Sequence, residues 1–285
     1  MTVCCFCVAR GGHCALLCGS VAQVTPSEEG VQFRLCAKKA IKWSAAINMS
    51  LMTGKMGAGC AQKLAGRLSW AVQMLFHKVG RAMIKPIFAQ AKSASGVIGP
   101  RLKEALEWWD NVLAHDIAEQ RVWEQSERPV CRLFVDAAST PARCAAVLFI
   151  DGRILYTDGA PGVSLLAKLQ QRGDKQIMSL EIIAIMLALS TFTSELSGRK
   201  VVLYSDNTGA EATANKGSAK AFDHNMLQHA IWSHVLTHGI HLWIERVPSK
   251  ENISDLPSRF EYGLLEELYA VWREPVMADL YLGPS

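Results

Sequence analysis

From Pro129 onward, short apolar segments of strand length alternate with longer segments of helix length. Five of the short segments have the composition of β-strands: "VCRLFVDAAS", "CAAVLFI", "RILYTD", "VVLYSD" and "HLWIERV". An Asp-Gly pair at residues 151 and 152 joins the second segment to the third and is a strong hairpin signal. "SLEIIAIMLALSTF" (residues 179–192) is nearly continuous in aliphatic residues, which predicts a buried helix. This order predicts an α/β fold with a mixed five-stranded sheet flanked by helices.

Further helices are expected in the same region: a short one after Asn207, a longer one over residues 222–238, and a last one after "SKENISDLPSR". The long helix carries four histidines that we expect on its surface, without a catalytic role: His224, His229, His234 and His238. Residues 263–285 are amphipathic and are expected to form a closing helix and a tail. Their apolar residues available for packing are Leu264, Leu265, Leu268 and Trp272.

Charge divides the chain into a basic part and an acidic part. Residues 1–128 contain 16 Lys and Arg against 9 Asp and Glu, whereas the remaining residues contain 14 against 17. Opposite charges in the two parts suggest two roles. With 285 residues, of which 50% are hydrophobic and 20% charged, the chain is long enough for one large or two small domains with real cores.

The cysteines cluster at the start of the chain, where six of the nine lie within the first 36 residues. They show neither an even disulfide framework nor the paired C-x2-C spacing of structural zinc sites. Arg10 to His13 interrupt what otherwise resembles a short signal peptide, and no apolar run reaches 18 residues. We therefore expect an intracellular protein, cytoplasmic or nuclear, with no membrane span and with a poorly defined start at residues 1–35. A signal peptide and a zinc site are the weaker alternatives.

Residues 36–128 are expected to form a small, mostly helical domain. Leu64, Leu68, Val72 and Leu75 recur at helical spacing, and a second helix is predicted over residues 101–120. Five cations surround the first helix and the turn after it: Lys63, Arg67, Lys78, Arg81 and Lys85. They form either the solvated face of a helical bundle or a cradle for phosphates, and this stretch alone does not decide between the two.

Four acids lie where open α/β sheets place their chemistry. Asp136 is predicted to end the first strand and Asp206 to end the fourth, so both are expected at the carboxyl edge of the sheet. Glu181 opens a helix whose next eight residues contain nothing polar, and Asp255 lies near the start of the last helix. The segments around the first three acids contain no Lys or Arg. Converging carboxylates without cations raise one another's pKa values, so the sequence predicts a bound divalent cation.

The ligand chemistry predicts which cation binds. Oxygen ligands without His or Cys favour hard ions such as Mg²⁺ or Mn²⁺ over zinc. Two such ions, roughly 3.5 to 4 Å apart, can activate a water and stabilise the leaving oxygen of a phosphoryl displacement. We therefore expect a nuclease or a related phosphoryl transferase without a small-molecule cofactor. Its catalytic and metal-binding residues are Asp136, Glu181, Asp206 and Asp255.

Residues 130–260 resemble the ribonuclease H domain of retroelement reverse transcriptases, with "FVDAAS", "LEIIAI", "YSDNTGA" and "NISDLPSR" in the family's order. The last motif looks like that of fungal retrotransposon enzymes in particular. The resemblance implies a ribonuclease H-like domain over residues 129–262, with a D-E-D-D site that binds two Mg²⁺ ions. It also implies hydrolysis of the RNA strand of an RNA:DNA hybrid. Many members carry a His in the loop before the last acid, where this chain has only Lys250, so turnover is expected to be slow.

The resemblance extends weakly upstream, where residues 24–43 and 63–88 look like the thumb and connection segments that grip the duplex. This favours the phosphate cradle. No Tyr-x-Asp-Asp motif occurs, so DNA synthesis is not expected, and the chain looks like the remnant of a longer polyprotein that lacks the polymerase core.

An enzyme that cuts RNA and spares DNA needs contacts to 2′-hydroxyls and to phosphates. The candidate nucleic-acid contacts near the acids are Ser139, Thr140, Asn207, Thr208, Asn252 and Arg259. Turn formation and helix capping are their alternative roles.

Two functions of different classes stay open. The first is a working nuclease, and the second is a nucleic-acid-binding remnant of the same fold with weak or no turnover. A transposase or integrase with a D-D-E set is the weakest option, because Glu181 follows the strand hairpin and does not lie on a late helix.

Overall fold

The computed structural model of the chain describes residues 22–26, 30–75, 78–115, 118–122, 129–173, 176–277, 280 and 282. The chain divides into two compact units, Met1–Ser126 and Glu127–Ser285. Within the described ranges, no helix combines the length and the hydropathy that crossing a membrane requires.

The N-terminal unit contains helices and a small sheet. Its helices are α1 (Ala37–Thr53), α2 (Ala58–Leu75), α3 (Arg81–Gln90) and α4 (Pro100–Ala114). Its strands are β1 (Ala22–Pro26), β2 (Gly30–Leu35) and β3 (Ala118–Val122), which pair antiparallel in that order. The predicted helix over residues 101–120 is wrong in its last part. His115 adopts an extended backbone with ψ 137°, and residues 118–122 pair with β2 instead of continuing α4.

Helix α2 buries the face that its apolar spacing predicted. Leu64, Leu68 and Val72 are all buried, whereas the side chain of Leu75 lies outside the described part of the structure. Gly80, just before α3, has φ 82°, and a Cβ atom there would lie 2.9 Å from Cζ2 of Trp109. Both the positive φ and the close approach require glycine at this turn.

The C-terminal unit is built on a mixed six-stranded sheet with the order β8-β7-β4-β5-β6-β9. Its strands are β4 (Cys131–Ser139), β5 (Ala142–Ile150), β6 (Arg153–Gly159), β7 (Lys200–Ser205), β8 (His241–Arg246) and β9 (Val271–Trp272). Strands β4, β5 and β6 pair antiparallel, whereas β7 runs parallel to β4, β8 to β7, and β9 to β6. The predicted hairpin is confirmed, since Asp151 and Gly152 both have positive φ between Ile150 and Arg153.

Helices flank this sheet. They are α5 (Val163–Lys168), α6 (Ile177–Thr191), α7 (Thr193–Leu196), α8 (Thr208–Lys216), α9 (Phe222–Thr237), α10 (Asp255–Ser258) and α11 (Gly263–Glu267). Every residue of α6 from Ser179 to Leu189 is buried, as its continuous apolar sequence predicted. Helix α6 packs against β4, β5 and α9, so its first turns lie close to the sheet.

The sequence prediction for the C-terminal segment is partly wrong, because the closing helix α11 has only five residues and a sixth strand follows it. Tyr269 has φ 52° and ends the helical segment, and the amide of Arg273 then donates to the carbonyl of Tyr156 at 2.8 Å. Strand β9 thereby covers hydrogen-bonding groups of β6 that would otherwise lie open at the sheet edge. Of the residues expected to pack, Leu265 is buried, whereas Leu264, Leu268 and Trp272 are exposed.

Candidate metal centre

Three carboxylates from three separate elements meet at one edge of the six-stranded sheet. Asp136 lies inside β4 and does not end it as predicted, because the strand continues to Ser139 through its pairing with β5. Asp206 directly follows β7, and Glu181 lies in the second turn of α6. Because β4 and β7 are parallel neighbours, their carboxyl ends lie side by side. One carboxylate oxygen from each residue lies within 4.8 Å of the others. The structure therefore brings together three of the four predicted ligands.

Burial and mutual repulsion raise the pKa values of two of these acids. Asp136 and Glu181 are each only 4% exposed, and Asp206 is half-buried. Burial, followed by the charges of Asp136 and Asp206, raises the pKa of Glu181 to about 9, although a hydrogen bond from the Ala137 amide opposes the shift. Burial raises the pKa of Asp136 to about 6, against a hydrogen bond from Ser258 that lowers it. Without a cation, Glu181 therefore keeps its proton at neutral pH, whereas Asp136 is mostly ionised there.

The side chains fit a hard divalent cation. The Oε2 atom of Glu181 is buried and has no hydrogen-bond partner, which is costly for a polar atom in the interior. All the donor atoms are carboxylate oxygens, the ligands that Mg²⁺ and Mn²⁺ prefer. A bound divalent cation would satisfy the Glu181 oxygen and remove the repulsion among the three acids.

The fourth acid, Asp255, lies near this group but is not a member of it. It is the first residue of α10, and its charge contributes to the raised pKa values of Asp136 and Glu181. Its Oδ1 atom accepts a hydrogen bond from Nε of Arg259 at 2.8 Å, one helical turn away. Asp255 is thus close enough to repel the other acids, while its own charge is partly balanced by an exposed guanidinium.

The candidate nucleic-acid contacts near the acids have different environments. Thr140, Thr208 and Arg259 are exposed, and Ser139 is half-buried. The side chain of Asn207 caps α8, since its Oδ1 accepts from the amide of Ala210 at 3.0 Å.

The prediction that Asn252 contacts nucleic acid is wrong, because its side chain is buried and holds the protein's own backbone. It is 3% exposed, and its Nδ2 donates to the carbonyl of Val135 at 3.0 Å. Its Oδ1 accepts a hydrogen bond from Ser254 at 2.6 Å, so both ends of the carboxamide are engaged inside the protein.

The basic residues of the N-terminal unit lie on α2, on α3 and in the turn between them. Lys63 and Arg67 are exposed one turn apart on α2, and Lys78, Arg81 and Lys85 are half-buried. Burial and the nearby charge of Arg81 lower the pKa of Lys78 to about 8. An anion at Lys78 would relieve this repulsion.

The prediction that the α9 histidines are surface residues is wrong for His224. His224 is buried, and its Nε2 lies 2.7 Å from Oγ of Ser179. Burial also lowers the pKa of His229 to about 4. His224 thus belongs to the packing between α9 and α6, which the irregular spacing of the histidines did not reveal.

Sequence reasoning also missed a group of residues that holds the segment after Asp255 on the sheet. Arg143 forms an ion pair with Asp158, and its guanidinium carbon lies 4.0 Å from the centre of the Phe260 ring. The hydroxyl of Tyr262 donates to Asp158 at 3.1 Å. Ser258 donates a hydrogen bond to Asp136. Its place inside the motif "NISDLPSR" was the only feature of the sequence that could have indicated a role for Ser258 at the site.

Comparison with models of known protein families finds no match to this chain, and comparison with curated proteins finds no significant similarity.

Proposed function

We propose that the C-terminal unit is a metal-dependent endonuclease that hydrolyses the RNA strand of RNA:DNA hybrids. One observation carries the proposal: oxygens of Asp136, Glu181 and Asp206 lie within 4.8 Å of one another although they come from three elements. The resemblance of residues 130–260 to ribonuclease H domains of retroelement reverse transcriptases, fungal retrotransposon enzymes in particular, supports the choice of substrate. A mixed six-stranded sheet flanked by helices is compatible with that fold.

Asp136, Glu181 and Asp206 would hold Mg²⁺ or Mn²⁺, and the resemblance implies two ions with Asp255 as a further ligand. When bound, such ions lower the pKa of a water molecule and stabilise negative charge on phosphate oxygens. The protein's part is to supply the anionic oxygens in a fixed arrangement. For Glu181 this requires loss of its carboxyl proton, so binding of a cation at neutral pH is expected to release a proton from this residue.

The overall reaction is a hydrolysis. The oxygen of a water molecule forms a bond to phosphorus, one ester P–O bond of the RNA backbone breaks, and a phosphate monoester and a hydroxyl group result. Exposed Thr140, Thr208 and Arg259 are the residues near the acids that we propose as contacts to the substrate backbone. In the N-terminal unit, we propose that the cations of α2, α3 and the turn between them bind phosphates, which would make binding steeply salt-dependent.

A second candidate function is binding of nucleic acid without efficient turnover. The observation that favours it is the position of Asp255, which lies outside the group of three and is bonded to Arg259. If Asp255 does not act as a ligand, the chain would retain a cation site and a basic surface but would hydrolyse the hybrid slowly.

Cleavage of a labelled RNA:DNA hybrid in Mg²⁺ by the purified chain tests the proposal. We expect cleavage of the RNA strand and none in EDTA. Asp136→Asn should lower the rate by at least about 100-fold, because several kcal/mol of charge stabilisation depend on the cation. Glu267→Gln, which changes an exposed carboxylate of α11, is the control and should cleave normally.

Two outcomes contradict the proposal in different ways. Equal cleavage by the unsubstituted chain and by Asp136→Asn would show that the activity does not come from this site. Tight binding of the hybrid without cleavage at any Mg²⁺ concentration would favour the second candidate function.

A further inference from the structure

Ser258 is buried beside the first acid, although it belongs to the segment that carries the fourth. Its side chain is 1% exposed, and its Oγ donates to Oδ2 of Asp136 at 2.5 Å. The same Oγ lies 2.9 Å from the carbonyl oxygen of Asp255. A hydroxyl has a single hydrogen, and the shorter distance is typical of a bond to a charged acceptor. The Asp136 carboxylate is therefore the main acceptor.

The backbone around Ser258 is held against the sheet on both sides. On its N-terminal side, Nδ2 of Asn252 donates to the carbonyl of Val135, the residue that precedes Asp136. On its C-terminal side, the hydroxyl of Tyr262 donates to Asp158 on β6 at 3.1 Å. The serine hydroxyl is thus presented to Asp136 from a segment that is fixed at two points.

We propose that Ser258 is a positioning residue of the metal centre, which fixes the orientation of the Asp136 carboxylate toward Glu181 and Asp206. The inference rests on the proposed function. The terminal torsion of an aspartate is soft, so an unsupported carboxylate samples a broad range of orientations. A hydrogen bond to Oδ2 selects one of them before a cation arrives. Partners of this kind typically change metal affinity by about 10–100-fold when they are removed.

A purely structural role for Ser258 makes a different prediction. Its second contact, to the carbonyl of Asp255, lies within α10. If the hydroxyl served only this contact, its removal would lower the stability of the fold and leave the metal affinity unchanged. Ser254 provides a matched control, since it is another buried serine and directly precedes α10, which ends at Ser258. Its hydroxyl donates to Asn252 and not to a carboxylate of the metal centre.

The test measures Mn²⁺ binding to the full chain by electron paramagnetic resonance, alongside thermal unfolding and the Mg²⁺ dependence of hybrid cleavage. Ser258→Ala should raise the Mn²⁺ dissociation constant by about tenfold, and excess Mg²⁺ should restore most of its cleavage rate. Ser254→Ala should leave the Mn²⁺ dissociation constant within about twofold of that of the unsubstituted chain. This should hold even if its unfolding midpoint falls as far as that of Ser258→Ala. Ser258→Cys keeps the shape of the side chain with a weaker donor, and it replaces the alanine form if that form does not fold.

The outcomes separate this inference from the proposed function. An unchanged Mn²⁺ affinity in Ser258→Ala, or an equal loss in Ser254→Ala, overturns the positioning role and leaves the nuclease proposal standing. An unsubstituted chain that binds no Mn²⁺ and cleaves no hybrid overturns the proposed function, and the positioning role with it.

Discussion

Glu181 is the residue whose chemistry depends most on a bound cation. Its carboxyl group is buried in α6 next to Asp136 and Asp206, and its pKa is raised from 4.5 to about 9. An acid whose pKa is higher in the folded than in the unfolded protein stabilises the fold fully only below its unfolded pKa. That contribution is lost as the pH rises from about 4.5 through about 9. The metal-free protein should therefore become less stable across this range, and a cation should offset the loss.

The substitution Glu181→Gln tests this directly. In EDTA at pH 8, we expect the free energy of unfolding to increase by about 1–3 kcal/mol, because glutamine removes the cost of keeping Glu181 protonated in the folded protein at a pH where the unfolded chain ionises. The pH dependence of the unfolding midpoint between pH 5 and 9 should flatten, and Mn²⁺ should no longer raise the midpoint. Thermal unfolding with and without Mn²⁺ measures all three effects. A variant that is less stable than the unsubstituted chain in EDTA and still responds to Mn²⁺ would contradict the assignment.

At the scale of single elements, the predictions that the structure confirms are those for which a local residue pattern is sufficient to determine the element. The Asp-Gly pair at residues 151 and 152 specified the hairpin, and the continuous apolar run of α6 specified a buried helix. Strand β9 was missed because two exposed residues carry no periodic signal, and its pairing with β6 is a tertiary contact. The end of α4 was misplaced for a similar reason, since β3 is specified by its partner β2 and not by its own residues.

Helix α2 has two faces with different expected roles. Leu64, Leu68 and Val72 are buried, while Lys63 and Arg67 are exposed one turn apart. Because these two cations do not contribute to the core, their substitution should leave folding intact and alter only the binding of polyanions.

The double substitution Lys63→Glu and Arg67→Glu should weaken binding of an RNA:DNA hybrid and make it less dependent on salt. Each phosphate contact contributes roughly 0.9 to the slope of log affinity against log salt on duplex DNA, so the slope should fall by about 2. Fluorescence anisotropy over a series of salt concentrations measures the slope. Lys103→Glu is the control, since the charge of Lys103 already lies 3.7 Å from Glu107. If the double variant and the control show the same slope of log affinity against log salt, Lys63 and Arg67 of α2 do not contact the hybrid.

At the scale of the whole molecule, the chain consists of a basic N-terminal unit and a C-terminal unit that holds the carboxylates. The sequence predicted the α/β sheet and four converging acids, of which the structure groups three, because the strands and a buried helix determine where Asp136, Glu181 and Asp206 must lie. It did not predict the bond between Ser258 and Asp136 or the pairing of Asp255 with Arg259. The first bond joins residues 122 positions apart, so it follows from the packing of α10 on β4, which the residue pattern does not encode. The second joins residues four apart at α10, a local spacing that the sequence analysis did not use.

The most direct test of the metal centre is anomalous X-ray diffraction from crystals of the chain grown with Mn²⁺. We expect an anomalous peak bounded by the carboxylates of Asp136, Glu181 and Asp206. The peak should be absent from crystals of Asp136→Asn grown under the same conditions. Crystals without a peak at these three residues, at a Mn²⁺ concentration that supports hybrid cleavage in solution, would contradict the account.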